Sequence, residues 1–382
     1  MQIIFWTLVF LIVYSYFLYP VFLRAILFFK KAVRVTDENY TPMVTMIVSA
    51  YNEEYILEEK INNFLNINYP ENKIELVIGN DGSSDGTKKI LDKFHDNTRI
   101  RCYNFKERNG KSWVLNKLIP ESRGEIIVFS DANTLYSESS IRKIMKHFKD
   151  GKTGGVCGRL ILNNPKDMLN IHGEVKYWNY ENRIKSLEGS IKSITGANGS
   201  IYAIRKDLFT KIPGSKFYND DFIIPVNIIK KGFDIVFEPD AEAWEFTSPT
   251  LKDEFLRRIR IGAGNYNALP QILELLNPFK GFIAFSLWSH KVIRWFVPFM
   301  LLLIFIINLL LLPIQFYRVL FILQIMFYLA GLTGIAFNNR KKLNNVFMYP
   351  AYFLIINSAL FAGFIKALTG KQRKTWSRVE RS

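Results

Sequence analysis

Apolar positions follow two different rhythms along this chain. Up to about residue 29 they are almost continuous, with Arg24 the first charge, and roughly 20 such residues are enough to cross a bilayer. The run is too long for a signal-peptide core and shows no Ala-x-Ala-like cleavage site, so it reads as a retained anchor. Pro20 within it is tolerable in a membrane helix. Three more apolar runs occupy 292–312, 316–337 and 346–368, the first two joined by a tight turn at Pro313. Between the two ends the rhythm changes. Short β-branched runs, such as Val44-Thr-Met-Ile-Val48, Ile74-Glu-Leu-Val-Ile78 and Glu125-Ile-Ile-Val-Phe129, alternate with amphipathic stretches such as Ile56, Leu57, Ile61, Phe64 and Leu65. Repeated strand, loop and helix predict a mostly parallel sheet covered by helices on its faces. Ligands of such sheets bind outside the carboxyl ends of the strands. All three of these strands end in polar clusters: Ser49 to Glu54, Gly79 to Thr87, and Ser130 to Asn133.

Charge adds a direction. The 50 Lys+Arg against 34 Asp+Glu leave +16, which beside membrane runs suggests loops held against anionic lipid rather than nucleic acid. Lys30, Lys31 and Arg34 follow the first run and place the middle of the chain in the cytoplasm; Arg340, Lys341 and Lys342 mark another cytoplasmic loop. The tail, with Lys371, Arg373, Lys374, Arg378 and Arg381, also calls for the cytoplasm, yet three C-terminal passes would leave it outside. Either 346–368 does not cross fully or 281–299 adds a re-entrant piece. Two cysteines, Cys102 and Cys157, fit a reduced compartment, and the four histidines lack zinc-ligand spacing.

Gly110-Lys-Ser112 and Gly151-Lys-Thr153 imitate the end of a P-loop, but Phe105 and Lys146 stand where its first glycine belongs. No Gly-x-Gly-x-x-Gly follows the first strand, and Asn198-Gly-Ser200 is a sequon without consequence on a cytoplasmic domain. A different set is informative. Ala50-Tyr-Asn-Glu53, Asn80-Asp-Gly-Ser-Ser-Asp-Gly-Thr87, Asn109-Gly-Lys111, Asp131-Ala-Asn133 and Asn219-Asp-Asp221 fall in an order that resembles the family 2 inverting glycosyltransferases, in their membrane-bound branch with bacterial exopolysaccharide synthases. The resemblance covers roughly 44–260 and implies a GT-A nucleotide-diphospho-sugar transferase domain, an α/β fold, flanked by N- and C-terminal transmembrane helices.

Residue by residue, the resemblance implies that Asp81 receives the nucleobase, with Ala50, Tyr51 and Glu53 lining base and ribose, while Asp85 is a helix cap. Asp131-Ala-Asn133 resembles the Asp-x-Asp motif that holds Mg²⁺ or Mn²⁺ on the donor diphosphate, with a neutral Asn133 where an acid is usual. Lys111 matches the lysine that meets the donor phosphates, against the ordinary fate of a lysine as a solvated loop residue. Asp221 matches the general base for the acceptor hydroxyl and Asp220 its orienting neighbour; a charged pair at a helix start is the plain alternative. The loop Thr195-Gly196-Ala-Asn-Gly-Ser200 would face the acceptor. Arg257 to Ile261 stands where processive relatives carry Gln-x-x-Arg-Trp: Arg260 keeps the arginine, Arg257 replaces Gln and Ile261 replaces Trp. Arg257 and Arg260 are therefore candidates for an acceptor or phosphate contact, on a stretch that also suits a membrane-surface helix.

The expected organisation is an anchor over 1–29, a cytoplasmic transferase domain over 42–250, an interfacial region over 251–290, a C-terminal membrane bundle over 291–369 and a basic tail over 370–382. The expected activity is sugar transfer from a nucleotide-diphospho-sugar donor to a saccharide or lipid-linked acceptor at the cell membrane, with membrane lipid as the remaining partner. Transfer to polyprenyl phosphate is the rival within enzymes. A non-catalytic nucleotide-sugar sensor is the rival outside them, and it has no need of a base at Asp221. A transporter is excluded because most of the chain lies outside the apolar runs.

Overall fold

A computed structural model of the chain describes residues 1–163, 169–246, 250–337 and 345–372. The basic positions 340–342 and most of the basic tail, from Arg373 onward, lie outside the described residues. The strands are β1 (Val44–Ala50), β2 (Ile74–Asp81), β3 (Ile100–Phe105), β4 (Ile126–Asp131), β5 (Leu135–Tyr136), β6 (Thr153–Asn163), β7 (Tyr202–Arg205) and β8 (Asp234–Phe246). They form one sheet in the order β3-β2-β1-β4-β7-β6-β8-β5. β3, β2, β1 and β4 run parallel to one another, as the alternating pattern predicts. β7 runs antiparallel to both β4 and β6, and β5 antiparallel to β8, so the sheet as a whole is mixed.

Side chains alternate across a strand, and each face of the sheet has its own cover. Ile47, Val77, Ile127 and Phe129 meet Val114, Leu115, Leu118 and Ile119 of helix Lys111–Glu121. Met46, Val48, Leu76 and Ile78 meet Leu57, Ile61 and Phe64 of helix Leu57–Leu65 on the other face. Burial on both faces is why these strands read as continuous apolar runs. In register, Ala50 lies opposite Asn80 and Ser49 opposite Asp131, so the polar ends of β1, β2 and β4 lie side by side.

Four helices are long and apolar enough to cross a membrane: Gln2–Phe29, Phe282–Leu310, Gln315–Ala336 and Asn345–Leu368. The second begins at Phe282, not near 292, so the expected interfacial region ends earlier than 290. The segment proposed as a re-entrant piece is the first part of this same helix, wound as a π-turn over Leu287–Val292. Helix Leu251–Ile272 packs on helix Asn345–Leu368 at backbone contact: a Cβ on Gly363 would lie 2.8 Å from the Ala263 nitrogen and the Ile259 oxygen.

The sheet domain is fastened to the long apolar helices by buried polar and charged groups. Glu181 and Glu188 of helix Leu169–Ile191 each lie 2.9 Å from a ring nitrogen of His290. Arg294 reaches Glu181 and the Ser15 carbonyl, both at 2.7 Å, and the Tyr19 hydroxyl donates to Glu188 at 2.6 Å. A buried network in which each charge has an opposite partner holds elements in one arrangement, since removing any member strands the others.

Candidate active site

The polar ends of the strands are stitched into a rigid floor. Asn52, held at φ +55, donates its backbone N–H to Ser83 Oγ at 2.9 Å and accepts from the Ser84 N–H at 2.9 Å. Asp85 accepts from the Thr87 N–H at 3.0 Å in an Asx turn; the helix cap expected at Asp85 falls instead on Gly86, the residue before helix Thr87–Asp92. Tyr51 lies at the end of β1 with the Arg108 guanidinium over its ring at 3.6 Å. Glu53, two residues on, donates its backbone N–H to Thr87 Oγ at 2.8 Å. Asp81, buried, accepts from the Asn109 and Gly110 N–H groups at 2.8 and 2.7 Å, one on each carboxylate oxygen. Gly110 sits at φ +92, the left-handed region that suits glycine, and so turns the chain to start a helix at Lys111. Asp81 therefore fixes the loop that presents Lys111.

Lys111 is the centre of the site. Its Nζ lies 2.9 Å from Asp131 Oδ1 and 3.1 Å from Asp220 Oδ2. Burial works against its charge, but Asp131 and Asp220 outweigh it and hold the ammonium above its usual range. An ammonium bridging two carboxylates marks the place where positive charge is needed. Below the Asp131 turn, fully buried Lys60 donates to Ser130 Oγ at 2.7 Å and the Thr134 carbonyl at 2.6 Å. Burial pushes that ammonium down to about 7, with Asp131 opposing.

Asp131 Oδ2 receives the Ser200 hydroxyl at 3.1 Å, and the same hydroxyl oxygen lies 3.1 Å from Glu245 Oε2. The Asn133 amide donates to Glu245 Oε1 at 3.0 Å. Oxygen donors of this kind suit Mg²⁺ or Mn²⁺. Among the described residues no group of three or more His, Cys, Asp or Glu has metal-binding geometry, so a cation here would rely on an amide oxygen as well as carboxylates.

Asp220 and Asp221 open helix Asp220–Lys230. Asp220 accepts from Tyr202 Oη at 3.3 Å. Asp221 is half-buried; burial first, and the neighbouring Asp220 second, raise its carboxyl to about 6 against the pull of Lys111 and Lys185. The Thr195–Ser200 loop lies directly on it. The Ala197 N–H donates to the Asp221 carbonyl at 2.8 Å, and a Cβ on Gly199 would come within 3.2 Å of Asp221 Oδ2. Gly196 packs on Phe222, the next residue of the acid helix. Buried Lys185 holds the loop from behind through the Ala197 carbonyl at 2.9 Å and the Asn198 side chain.

The three arginines divide. Arg257 pairs with Glu174 and Glu254, and Arg258 with Glu254 at 2.7 Å and Tyr352 Oη at 3.1 Å. The acceptor or phosphate contact expected of Arg257 is thus not supported: like Arg258 it is paired with carboxylates, and both guanidinium groups brace helix Leu251–Ile272. Arg260 differs: burial and Arg257 lower its guanidinium, while Asp131, Asp220 and Asp221 pull the other way. It shares the electrostatic field of Asp131, Asp220 and Asp221. The same helix docks on the acid pair through Asn219, whose amide donates to the Ile261 carbonyl at 2.9 Å and to Asn265 at 3.0 Å.

The structure thus gathers Lys111, Asp131, Asn133, Asp220 and Asp221 on one side of the sheet, with Tyr51, Glu53 and Asp81 on the adjoining floor. Sequence reading overlooked Lys60, Lys185, Tyr202 and Glu245. Glu245 has one faint signal, a carboxylate at a buried position of Ala241–Phe246, the half of β8 in which buried and half-buried residues alternate.

Residues 45–212 match the model of glycosyl transferase family 2. The fold is GT-A, and residues 45–212 carry a family 2 glycosyltransferase domain. The probable glycosyltransferase YdaM of Bacillus subtilis is 29% identical over 67% of this chain. The poly-β-1,6-N-acetyl-D-glucosamine synthase of Staphylococcus epidermidis is 25% identical over 88% of this chain and 87% of its own. The match spans 63% of YdaM, and 55% of the Staphylococcus aureus synthases. A mannosyltransferase of Pyrobaculum calidifontis, solved with GDP-mannose and Mn²⁺, superposes over 97% of this chain and 99% of its own with a TM-score of 0.74 at 22% identity.

Proposed function

We propose that this chain transfers a sugar, with inversion, from a nucleotide-diphospho-sugar to a saccharide or lipid-linked acceptor at the cytoplasmic face of a membrane. The observation that carries the reading is Lys111 between Asp131 and Asp220, with Asp221 one residue further and the Thr195–Ser200 loop against it. The donor diphosphate takes the place now spanned by the lysine bridge, where Lys111 and Arg260 meet its negative charge. Asp131 and the Asn133 oxygen would hold Mg²⁺ or Mn²⁺, which offsets charge on the departing diphosphate. Asp221 takes the acceptor hydroxyl's proton during attack, a role its raised carboxyl suits. Tyr51, Glu53 and Asp81 line the nucleoside end, beyond the loop that Asp81 fixes. Ile261 offers no aromatic platform for a terminal sugar, which favours an acceptor recognised by a charged or lipid-linked end.

The transferase domain comprises 42–250. Lys30, Lys31 and Arg34 hold it on the cytoplasmic side of the first span. The spans Gln2–Phe29, Phe282–Leu310 and Gln315–Ala336 cross the bilayer, and helix Asn345–Leu368 returns to the cytoplasmic side, the side that the charge of the basic tail calls for. The test is a screen of UDP- and GDP-sugars with purified protein in detergent, reading released nucleoside diphosphate and product mass. Release from one donor with a glycosylated product is expected. No transfer from any nucleotide sugar, with or without added lipid-linked acceptor, overturns the reading.

A further inference from the structure

Asn133 is neutral in a place where a cation calls for charge, and the structure shows what stands next to it. Glu245, 6% exposed at the end of β8, points both carboxylate oxygens into the site. Oε1 takes the Asn133 amide hydrogen at 3.0 Å, and Oε2 faces Ser200 Oγ at 3.1 Å. Because the NH₂ end of a planar amide is turned to Glu245, the Asn133 oxygen is turned away from it and remains an acceptor. On the other side of Ser200, at the same 3.1 Å, lies Asp131 Oδ2. A hydroxyl has one hydrogen. It satisfies either Asp131 or Glu245 at a given moment, never both, so two carboxylates converge on a single proton. Lys111 meets the far oxygen of Asp131 at 2.9 Å.

Pairing across the sheet explains why these residues meet. Leu135 of β5 lies opposite Trp244 of β8, so the turn after β4 is brought against the end of β8, far along the chain. We infer that Glu245 and Asn133 act as one unit in the cation site, Glu245 providing the second negative charge and Asn133 the oxygen ligand that Glu245 orients. The inference rests on the divalent-cation reading above. Charge and amide have exchanged places relative to an Asp-x-Asp arrangement, and the hydrogen bond between 133 and 245 survives if they are exchanged back, with donor and acceptor reversed.

That reversal is the experiment. Full-length protein in detergent is titrated with Mn²⁺ in the presence of UDP and, separately, GDP, and free Mn²⁺ is counted by its electron paramagnetic resonance signal. Wild type is expected to bind one Mn²⁺; a wild type that binds none overturns the cation reading itself. Glu245→Gln removes the charge and keeps the shape, and is expected to weaken Mn²⁺ about tenfold, in line with losing a group that serves a metal's ligands. Asn133→Asp combined with Glu245→Gln restores net charge and hydrogen bond, and is expected to return affinity to within about threefold of wild type, since coupled neighbours are non-additive. Melting temperatures of each variant show that folding is retained. Glu245→Gln binding Mn²⁺ as wild type, or the double variant binding no better than Glu245→Gln, overturns the inference and leaves the cation reading standing.

Discussion

At the scale of single residues, the site is a set of carboxylates whose surroundings assign them different work. Asp81 accepts two backbone N–H groups and is structural support for the loop that carries Lys111. Asp81→Asn places an amide NH₂ against one of those donors and leaves it unpaired, which costs about 1–3 kcal/mol locally. The expected result is a donor KM raised about tenfold with kcat less affected, read by initial-rate kinetics. Asp221 is set differently: burial and the neighbouring Asp220 raise its carboxyl to about 6. A base works only when deprotonated, so turnover should climb with pH through about 6 and level off above it. A kcat profile flat from pH 5 to 7.5 would remove Asp221 as the base. Asp221→Asn should cost about 10²–10⁴-fold in kcat while nucleotide binding, measured by calorimetry with UDP or GDP, stays within a few-fold.

At the scale of elements, helix Leu251–Ile272 couples the membrane helices to the chemistry. On one side it meets helix Asn345–Leu368 through Gly262 and Gly363; on another, Gly264 leaves room for Asn219, and a Cβ there would lie 2.5 Å from Asn219 Oδ1. Arg258 braces this helix through Glu254 and Tyr352, whereas Arg260 shares the field of Asp131, Asp220 and Asp221. Arg258→Ala should therefore lower the melting temperature, and Arg260→Ala should lower turnover with little change in melting. Equal loss of turnover in both, at equal stability, would contradict that division. This contrast also shows what a sequence reveals. The parallel half of the sheet and the order of the motifs are legible because strands buried on both faces leave unbroken β-branched runs, and the polar clusters follow at their ends. The charge on helix Leu251–Ile272 is not legible in the same way. Arg257 and Arg258 look like a phosphate-binding cluster until Glu174, on a separate helix, arrives to neutralise one of them. Glu245 and Lys185 escape notice for the same reason: each acts on a distant loop that the sheet or a long helix brings within reach.

At the scale of the whole molecule, the proposed return of helix Asn345–Leu368 to the cytoplasmic side rests on its contacts rather than on its hydropathy. Its 24 residues are long enough to cross a bilayer. Its first half, however, faces charge. The Tyr349 hydroxyl accepts from Lys176 at 2.6 Å, and the Tyr352 hydroxyl accepts from Arg258 at 3.1 Å. Asn357 is buried one turn further on. Beyond Asn357 the helix runs only about 17 Å at 1.5 Å per residue, against a hydrocarbon core of about 30 Å. Even there it stays with the catalytic domain, since Gly363 touches Ile259 and Ala263 of the helix that carries Arg260. In the proposed topology Lys371 therefore lies on the same side of the bilayer as the transferase domain. Impermeant maleimide labelling in a Cys102→Ser background tests this, with buried Cys157 left in place. Lys371→Cys should label only after the membrane is opened, while Gln315→Cys, at the turn between the second and third spans, should label in intact cells. Labelling of Lys371→Cys in intact cells would mean that the last helix crosses completely, and that its contacts with Lys176, Arg258 and Ile259 do not persist in the bilayer.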